Sequence, residues 1–275
     1  MNVKIIIDST VDTTPEIRSH CAVVPLTVRF GDEEYIDGVT ITHEGFYEKL
    51  VSDEYLPTTS QPTPDAFARV YQQIVDNGET GVVLTISSKL SGTCQSASIA
   101  AMDFPGKIFV VDSKTATIGA GILAELAVLL AQQGHTAEKI AEILTHRRED
   151  VRIAAVVDTL EYLKRGGRVS RTVAFAGELL SIKPLITIAD GKIQMKGKAR
   201  GGRQVVTAMD NLVESFGTVD KESPILLGYT GCDHTQMDNY ILSSTNGWTA
   251  PATMIGSVIG THAGPGAFAV AFFVK

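Results

Sequence analysis

Short apolar runs alternate with amphipathic segments along the first half of the chain. Residues 3–7, 82–86, 107–111 and 151–157 are rich in Val and Ile, as strands buried on both faces of a parallel sheet are. Helix-start signals recur between them. Thr14 precedes Pro15 and Thr63 precedes Pro64, each a hydroxyl cap followed by a proline in the first turn. Thr42 and Thr136 open further helices, and Asn77-Gly78 and Gly134 close two of them. Strands and helices in such alternation predict a parallel sheet with right-handed crossovers. Residues 26–30 and 35–36 flank Gly31-Asp32-Glu33-Glu34 and predict a short hairpin beside it.

The texture changes after Asp158. A helix over 159–164 is stopped by Gly166-Gly167, and Arg168-Val169-Ser170 leads into another, predicted through residue 180. Residues 183–189 and 192–195 are joined by Asp190-Gly191, a strong hairpin signal. A helix over 203–216, a strand over 225–229, a helix over 235–244 and strands over 252–255 and 267–274 follow. Hairpins mixed with helices predict a smaller α+β domain with a mixed sheet. The expected organisation is α/β, with one domain over residues 1–160, a second over 161–275, and a cleft between them.

Two hydroxyl-rich loops feed helix starts at the carboxyl ends of these strands, where open α/β sheets bind ligands. The first is Ser87-Ser88-Lys89-Leu90-Ser91-Gly92-Thr93-Cys94-Gln95-Ser96, with a helix predicted over 96–102. The second is Thr58-Thr59-Ser60-Gln61-Pro62-Thr63-Pro64. Free N–H groups and the helix dipole attract an anion to such a start. The plain alternative makes Ser91 an N-cap, and the local pattern leaves both readings open. His262 sits in Gly260-Thr261-His262-Ala263-Gly264-Pro265-Gly266, which reads as a glycine-rich loop between two strands. It is either a donor or proton relay or a histidine satisfied by a carbonyl. Lys164, Arg165, Arg168 and Arg171 form a cationic group that either complements a helix C-terminus or docks an acidic partner.

Composition narrows the classes. The chain has 24 Lys+Arg against 31 Asp+Glu, a net charge of −7, which disfavours a general nucleic-acid binder. Its 3 cysteines are scattered, so neither a disulfide framework nor a CxxC metal pair is expected, consistent with a cytoplasmic setting. The tract 252–274 is interrupted by His262 and Gly264-Pro265-Gly266, so no membrane span is expected. The phosphate-loop, HExxH and GxSxG signatures are missing. Gly119-Ala120-Gly121-Ile122-Leu123-Ala124 fits GxGxx[GA] but lies beyond the end of its strand, which reads as a close-packed helix start.

Six short pieces together resemble the DegV family of bacterial fatty-acid-binding proteins, end to end. They are Asp8-Ser9-Thr10, Thr59-Ser60-Gln61-Pro62, the segment from Ser87 to Thr93, Val111-Asp112-Ser113, the segment from Asp158 to Ser170, and the segment from Thr261 to Gly266. The resemblance implies a Rossmann-like first domain, a two-layer α/β second domain, and a tunnel between them for a long-chain fatty acid. The ligand-binding residues it implies are Thr59, Ser60, Ser91, Gly92, Thr93, Arg200 and His262. It further implies a non-catalytic carrier that presents the carboxylate to a separate fatty acid kinase, with Arg168 and Arg171 on the docking surface. No cofactor, metal or nucleic acid is expected, and contact with a membrane surface would be transient. Cys94, Val11 and Thr13 depart from the usual family pattern, and Cys94 is the expected source of an altered pocket. The competing reading is a hydrolase or transferase of acyl or phosphoryl esters with a Ser or Thr nucleophile and His262 as base. A third is a purely regulatory interaction protein.

Overall fold

The computed structural model describes residues 2–169 and 182–275. Strands β1 (Val3–Asp8), β2 (Cys21–Val24), β6 (Thr80–Thr85) and β7 (Ile108–Asp112) form an all-parallel sheet in the order β2-β1-β6-β7. Strands β3 (Thr27–Phe30), β4 (Glu33–Ile36) and β5 (Thr58–Ser60) form a small antiparallel sheet, with β3 in the middle. The remaining strands are β8 (Val151–Val156), β9 (Ile182–Ala189), β10 (Lys192–Arg200), β11 (Leu226–Tyr229), β12 (Ala252–Met254) and β13 (Phe268–Phe273). They form a separate mixed sheet in the order β10-β9-β8-β13-β11-β12. The helices are α1 (Pro15–Ser19), α2 (His43–Ser52), α3 (Pro64–Asp76), α4 (Thr93–Ala101), α5 (Thr117–Gln132), α6 (Ala137–Arg147), α7 (Glu161–Arg165), α8 (Gly202–Ser215), α9 (Thr235–Ser243) and α10 (Ser257–Ala263).

The expected caps are in place. Thr14, Thr42, Thr63 and Thr136 each accept, through Oγ1, the backbone N–H three residues on, at 3.3, 3.0, 3.2 and 3.3 Å. The Asp190-Gly191 turn has φ of 51° and 76°, the left-handed pair that matches strand twist in a two-residue hairpin. Helix α5 is apolar over most of its surface because most of it is buried between the two large sheets, with Glu125 and Leu129 on its more open side. Ile118, Ile122 and Leu123 share one core cluster with Ile5 and Ile7 of β1 and with Ile153 and Ala269 of the mixed sheet. The other face of the mixed sheet packs Ala154, Val156 and Val270 against Val205, Met209 and Leu212 of α8.

Residues 151–157 do not extend the parallel sheet as their pattern predicts. Strand β8 runs antiparallel to β13, pairing Ile153 with Ala271, and antiparallel to β9, pairing Ala155 with Ile186. An apolar run reports burial on two faces, which both sheets provide, and carries no information on strand direction. The glycine-rich segment holding His262 is also not a loop. Its first part is helix α10, which ends at Gly264 with φ of 72°.

Candidate functional site

Strand β5 is held by β3, with Val28 opposite Thr59. This places the Thr59 hydroxyl 3.0 Å from His262 Nε2, on the last turn of α10. His262 stands against the end of α7, where a Cβ on Gly166 would lie 2.1 Å from its Nδ1. Only a residue without a side chain allows that approach. Burial, and secondarily the nearby Arg168 charge, push the His262 pKa down to about 4. The imidazole is therefore neutral near pH 7. Its Nδ1 is buried and has no partner among the described residues.

The loop after β6 faces this pair. The Ser91 N–H donates to Ser87 O at 3.1 Å, and Ser87 Oγ donates to Gly191 O at 2.8 Å, which ties the loop to the β9–β10 hairpin. Ser91 is not an N-cap. Helix α4 starts earlier than the pattern predicts, and the cap position is occupied by Gly92, which has no side chain to cap it. Ser91 Oγ instead lies 2.9 Å from Thr93 Oγ1 and accepts the Thr93 N–H at 3.3 Å. Gln61 Nε2 donates to Ser96 Oγ at 3.0 Å and links the two hydroxyl loops. Arg168 completes the cluster, donating through Nε to Leu90 O at 3.3 Å and through Nη1 to Gly166 O at 2.5 Å. Burial lowers its pKa from the ordinary value.

Thr59, Gln61, Ser91, Gly92, Arg168 and His262 line a cavity of about 200 Å³ together with a longer apolar wall. That wall includes Ile86, Ile153, Ala155, Ile186, Ile188, Ile193, Ile255 and Ala269. Four threonines also line it, yet each hydroxyl is engaged by the wall. Thr10 donates to Asp8, Thr117 to Asp12 at 2.7 Å, Thr187 to Ile153 O at 2.6 Å and Thr230 to Ala267 O at 3.4 Å. Among the described residues, the donors left to face a ligand are thus at the Thr59–Ser91–His262 end, and the rest of the described lining is an apolar sleeve.

Of the residues the family resemblance implies, Thr59, Ser91, Gly92 and His262 are brought together on this cavity. Thr93 is buried behind Ser91 and hydrogen-bonded to it. Ser60 is exposed at the end of β5, opposite Thr27, and is not part of the wall. Arg200 is also away from the cavity. It is exposed at the end of β10, where its N–H donates to Gln204 Oε1 at 3.0 Å. Arg168, expected on a docking surface, is in the cavity wall, and Arg171 lies outside the described residues. Cys94 is half-buried in the first turn of α4, off the cavity wall, and burial raises its thiol pKa. Sequence reasoning gave no ligand-facing role to Arg168 or Gln61. The position of Gln61 directly after Thr59-Ser60 was a usable signal, whereas Arg168 reaches the site only through the fold. Among the described residues no group of three or more His, Cys, Asp or Glu comes together to hold a metal ion. None of the described helices is long and apolar enough to cross a membrane.

The chain is similar throughout its length to known proteins. A DegV domain-containing protein of Deinococcus radiodurans is 32% identical over 277 residues, covering 98% of each chain. Among solved structures, a fatty-acid-binding DegV family protein from Thermus thermophilus superposes with a TM-score of 0.89 at 33% identity, covering 100% of both chains. A stearic acid-binding protein from Eubacterium ventriosum superposes with a TM-score of 0.86 at 28% identity, covering 99% of this chain and 98% of that one. The family model described as "Uncharacterised protein, DegV family" matches residues 2–275, and on this match and the full-length relatives the chain belongs to the DegV family.

Proposed function

We propose that this chain binds a long-chain fatty acid in the cavity, with the carboxylate at the Thr59–Ser91–His262–Arg168 end and the acyl tail in the sleeve. The observation that carries the reading is the segregation of donors. A carboxylate taken out of water needs hydrogen-bond donors or a cation, and the described residues of the cavity offer free ones at one end alone. The sleeve supplies affinity without orientation, at about 0.8 kcal/mol per buried methylene. His262 is best placed with its proton on Nε2, donating to Thr59 Oγ1. A bare lone pair at the buried Nδ1 is less unfavourable than an unpaired N–H. That tautomer frees the Thr59 O–H to donate to the carboxylate, and Ser91 and the Arg168 charge share the load. The binding described for the Thermus thermophilus and Eubacterium ventriosum relatives supports the same ligand class.

In this reading the chain is a carrier, and chemistry on the carboxylate belongs to a separate fatty acid kinase that meets the polar end of the cavity. The ester-hydrolase alternative needs an acceptor to orient His262 through Nδ1, and that atom has none among the described residues. Thr59→Ala combined with Ser91→Ala tests the headgroup assignment. The double variant is expected to weaken stearic acid binding by roughly 150-fold or more, the loss of two hydrogen bonds to a charged group at about 1.5–3 kcal/mol each, without lowering the melting temperature. Unchanged affinity would remove the assignment, and turnover of acyl or phosphate esters lost in His262→Ala would favour the enzyme.

A further inference from the structure

Helix α10 brings His262 to the cavity, yet its other end is fastened by residues far away in the chain. The Gly256 N–H donates to Asp12 Oδ1 at 2.8 Å and the Ser257 N–H to Asp37 Oδ1 at 3.2 Å. Tyr47 donates its hydroxyl to Ile255 O at 2.8 Å. The second oxygen of Asp12, Oδ2, accepts the Thr117 hydroxyl at 2.7 Å. Thr117 is the first residue of α5 and sits at φ of 49°, a left-handed conformation that a β-branched residue adopts only under constraint. Asp12 therefore joins the starts of two helices that border the cavity, α5 through Thr117 and α10 through Val258 and Ile259. Space there is closely filled, since a Cβ on Gly121 would lie 2.0 Å from Asp12 O.

We propose that Asp12, assisted by Asp37, is a positioning residue for the headgroup end of the cavity: it fixes the start of α10 against α5 and thereby sets where His262 stands. Two further observations show how closed this seat is. Asp12 and Asp37 are 3% and 1% exposed, and Asp37 Oδ2, Ser257 Oγ and Thr13 Oγ1 beside them are buried without partners among the described residues. Burial raises the Asp12 pKa to about 7, with Asp37 adding to the rise and the Thr117 and Gly256 hydrogen bonds and Arg18 opposing it. Among the described residues the other titratable groups facing this seat are Tyr47, which feels both carboxylates, His43, 4.0 Å from Asp37, and the buried Asp8, which feels Asp37. The folded protein holds a proton on Asp12 that the unfolded chain has lost between pH 3.8 and about 7, so this group's contribution to stability declines as pH rises through that window. Ionisation thus weakens the fold locally while tightening the grip on Gly256, and the two effects separate experimentally.

The ligand readout rests on the fatty-acid reading, whereas the structural readout does not. In the ligand-free full-length protein, Asp12→Ala is expected to speed amide hydrogen exchange over residues 256–263 by roughly tenfold, the loss of one charge-assisted hydrogen bond. Affinity for stearic acid should fall by a similar factor. Asp12→Asn keeps a neutral acceptor of the same shape, so it decides the matter even where the alanine variant does not fold. It should melt no lower than wild type at pH 8, bind stearic acid several-fold more weakly there, and lose the wild-type decline in affinity as pH drops below about 7. At pH 8, wild-type exchange over 256–263 in Asp12→Ala, or, where that variant does not fold, wild-type stearic acid affinity in Asp12→Asn, overturns the proposal. If wild type itself binds no stearic acid, the fatty-acid reading fails and the exchange measurement still decides the role of Asp12.

Discussion

Gly166→Ala isolates the contribution of His262 placement, because the backbone there accepts alanine. Gly166 has φ of −69° and ψ of −10°, a right-handed conformation in which Gly→Ala by itself stabilises by about 0.4–1 kcal/mol. The obstacle is spatial. The added Cβ would lie 2.1 Å from His262 Nδ1 and 2.8 Å from Cε1, where unbonded heavy atoms sit about 3.5 Å or more apart. The ring would have to retreat by roughly 1.4 Å to restore that separation. Its freedom to shift is limited, since Thr59 Oγ1 is already 3.0 Å from Nε2. The imidazole must swing out, which breaks the hydrogen bond to Thr59 and leaves that hydroxyl unaimed. The expected loss is about 1–3 kcal/mol of binding free energy, or roughly 5- to 150-fold in Kd. Titration calorimetry with stearic acid would read it, with the melting temperature as a check on folding. Gly167→Ala serves as the contrast. Its φ of 70° opposes alanine and its Cβ meets nothing within 4 Å among the described residues, so stability should drop with affinity intact. A Gly166→Ala protein that binds within twofold of wild type would refute the argument.

Two other outcomes follow from the same geometry. Because the His262 pKa is depressed from 6.5 to about 4 by burial, the unfolded chain binds more protons in that window. Its contribution to stability is complete above pH 6.5 and is lost as pH falls toward 4; the difference in melting temperature between wild type and His262→Gln should change over that range and be flat above it. Ala155→Phe puts a ring into the sleeve from near the end of β8, where Ala155 lines the cavity. Stearic acid binding should fall by more than roughly tenfold while the melting temperature stays within a few degrees, since the ring occupies existing space; a wild-type titration curve would show that the tail lies elsewhere.

The legible parts of this chain are those whose physics is local. Threonine followed by proline specifies a helix start, Asp190-Gly191 specifies a turn, and valine-rich runs specify strands, and each is present. Strand direction is not local, so residues 151–157 looked like one more parallel strand. Helix α10 escaped notice because seven residues with Gly260 inside have little intrinsic helix preference. It exists because Asp12, Asp37 and Tyr47 hold its start and Phe46 and Tyr47 pack on Gly260. The polar end of the cavity is half legible. Thr59 and Ser91 belong to recognisable loops, whereas Arg168 sits beside them only through α7, and Ser60 and Arg200 share the loops or strands of site residues without sharing their direction. Asp12 had no signal at all, since an aspartate after a strand is commonplace and its partners are 105 and 244 residues away.

The central claim is that the cavity holds a long-chain fatty acid by its carboxylate at the Thr59–His262 end. Mass spectrometry of an organic extract of the purified protein, followed by titration of delipidated protein with stearic acid, tests it most directly. The account predicts fatty acid in the extract, saturable binding of one acid per chain, and a hydrocarbon alcohol of the same length binding far more weakly. An empty extract together with no binding of the acid would contradict it.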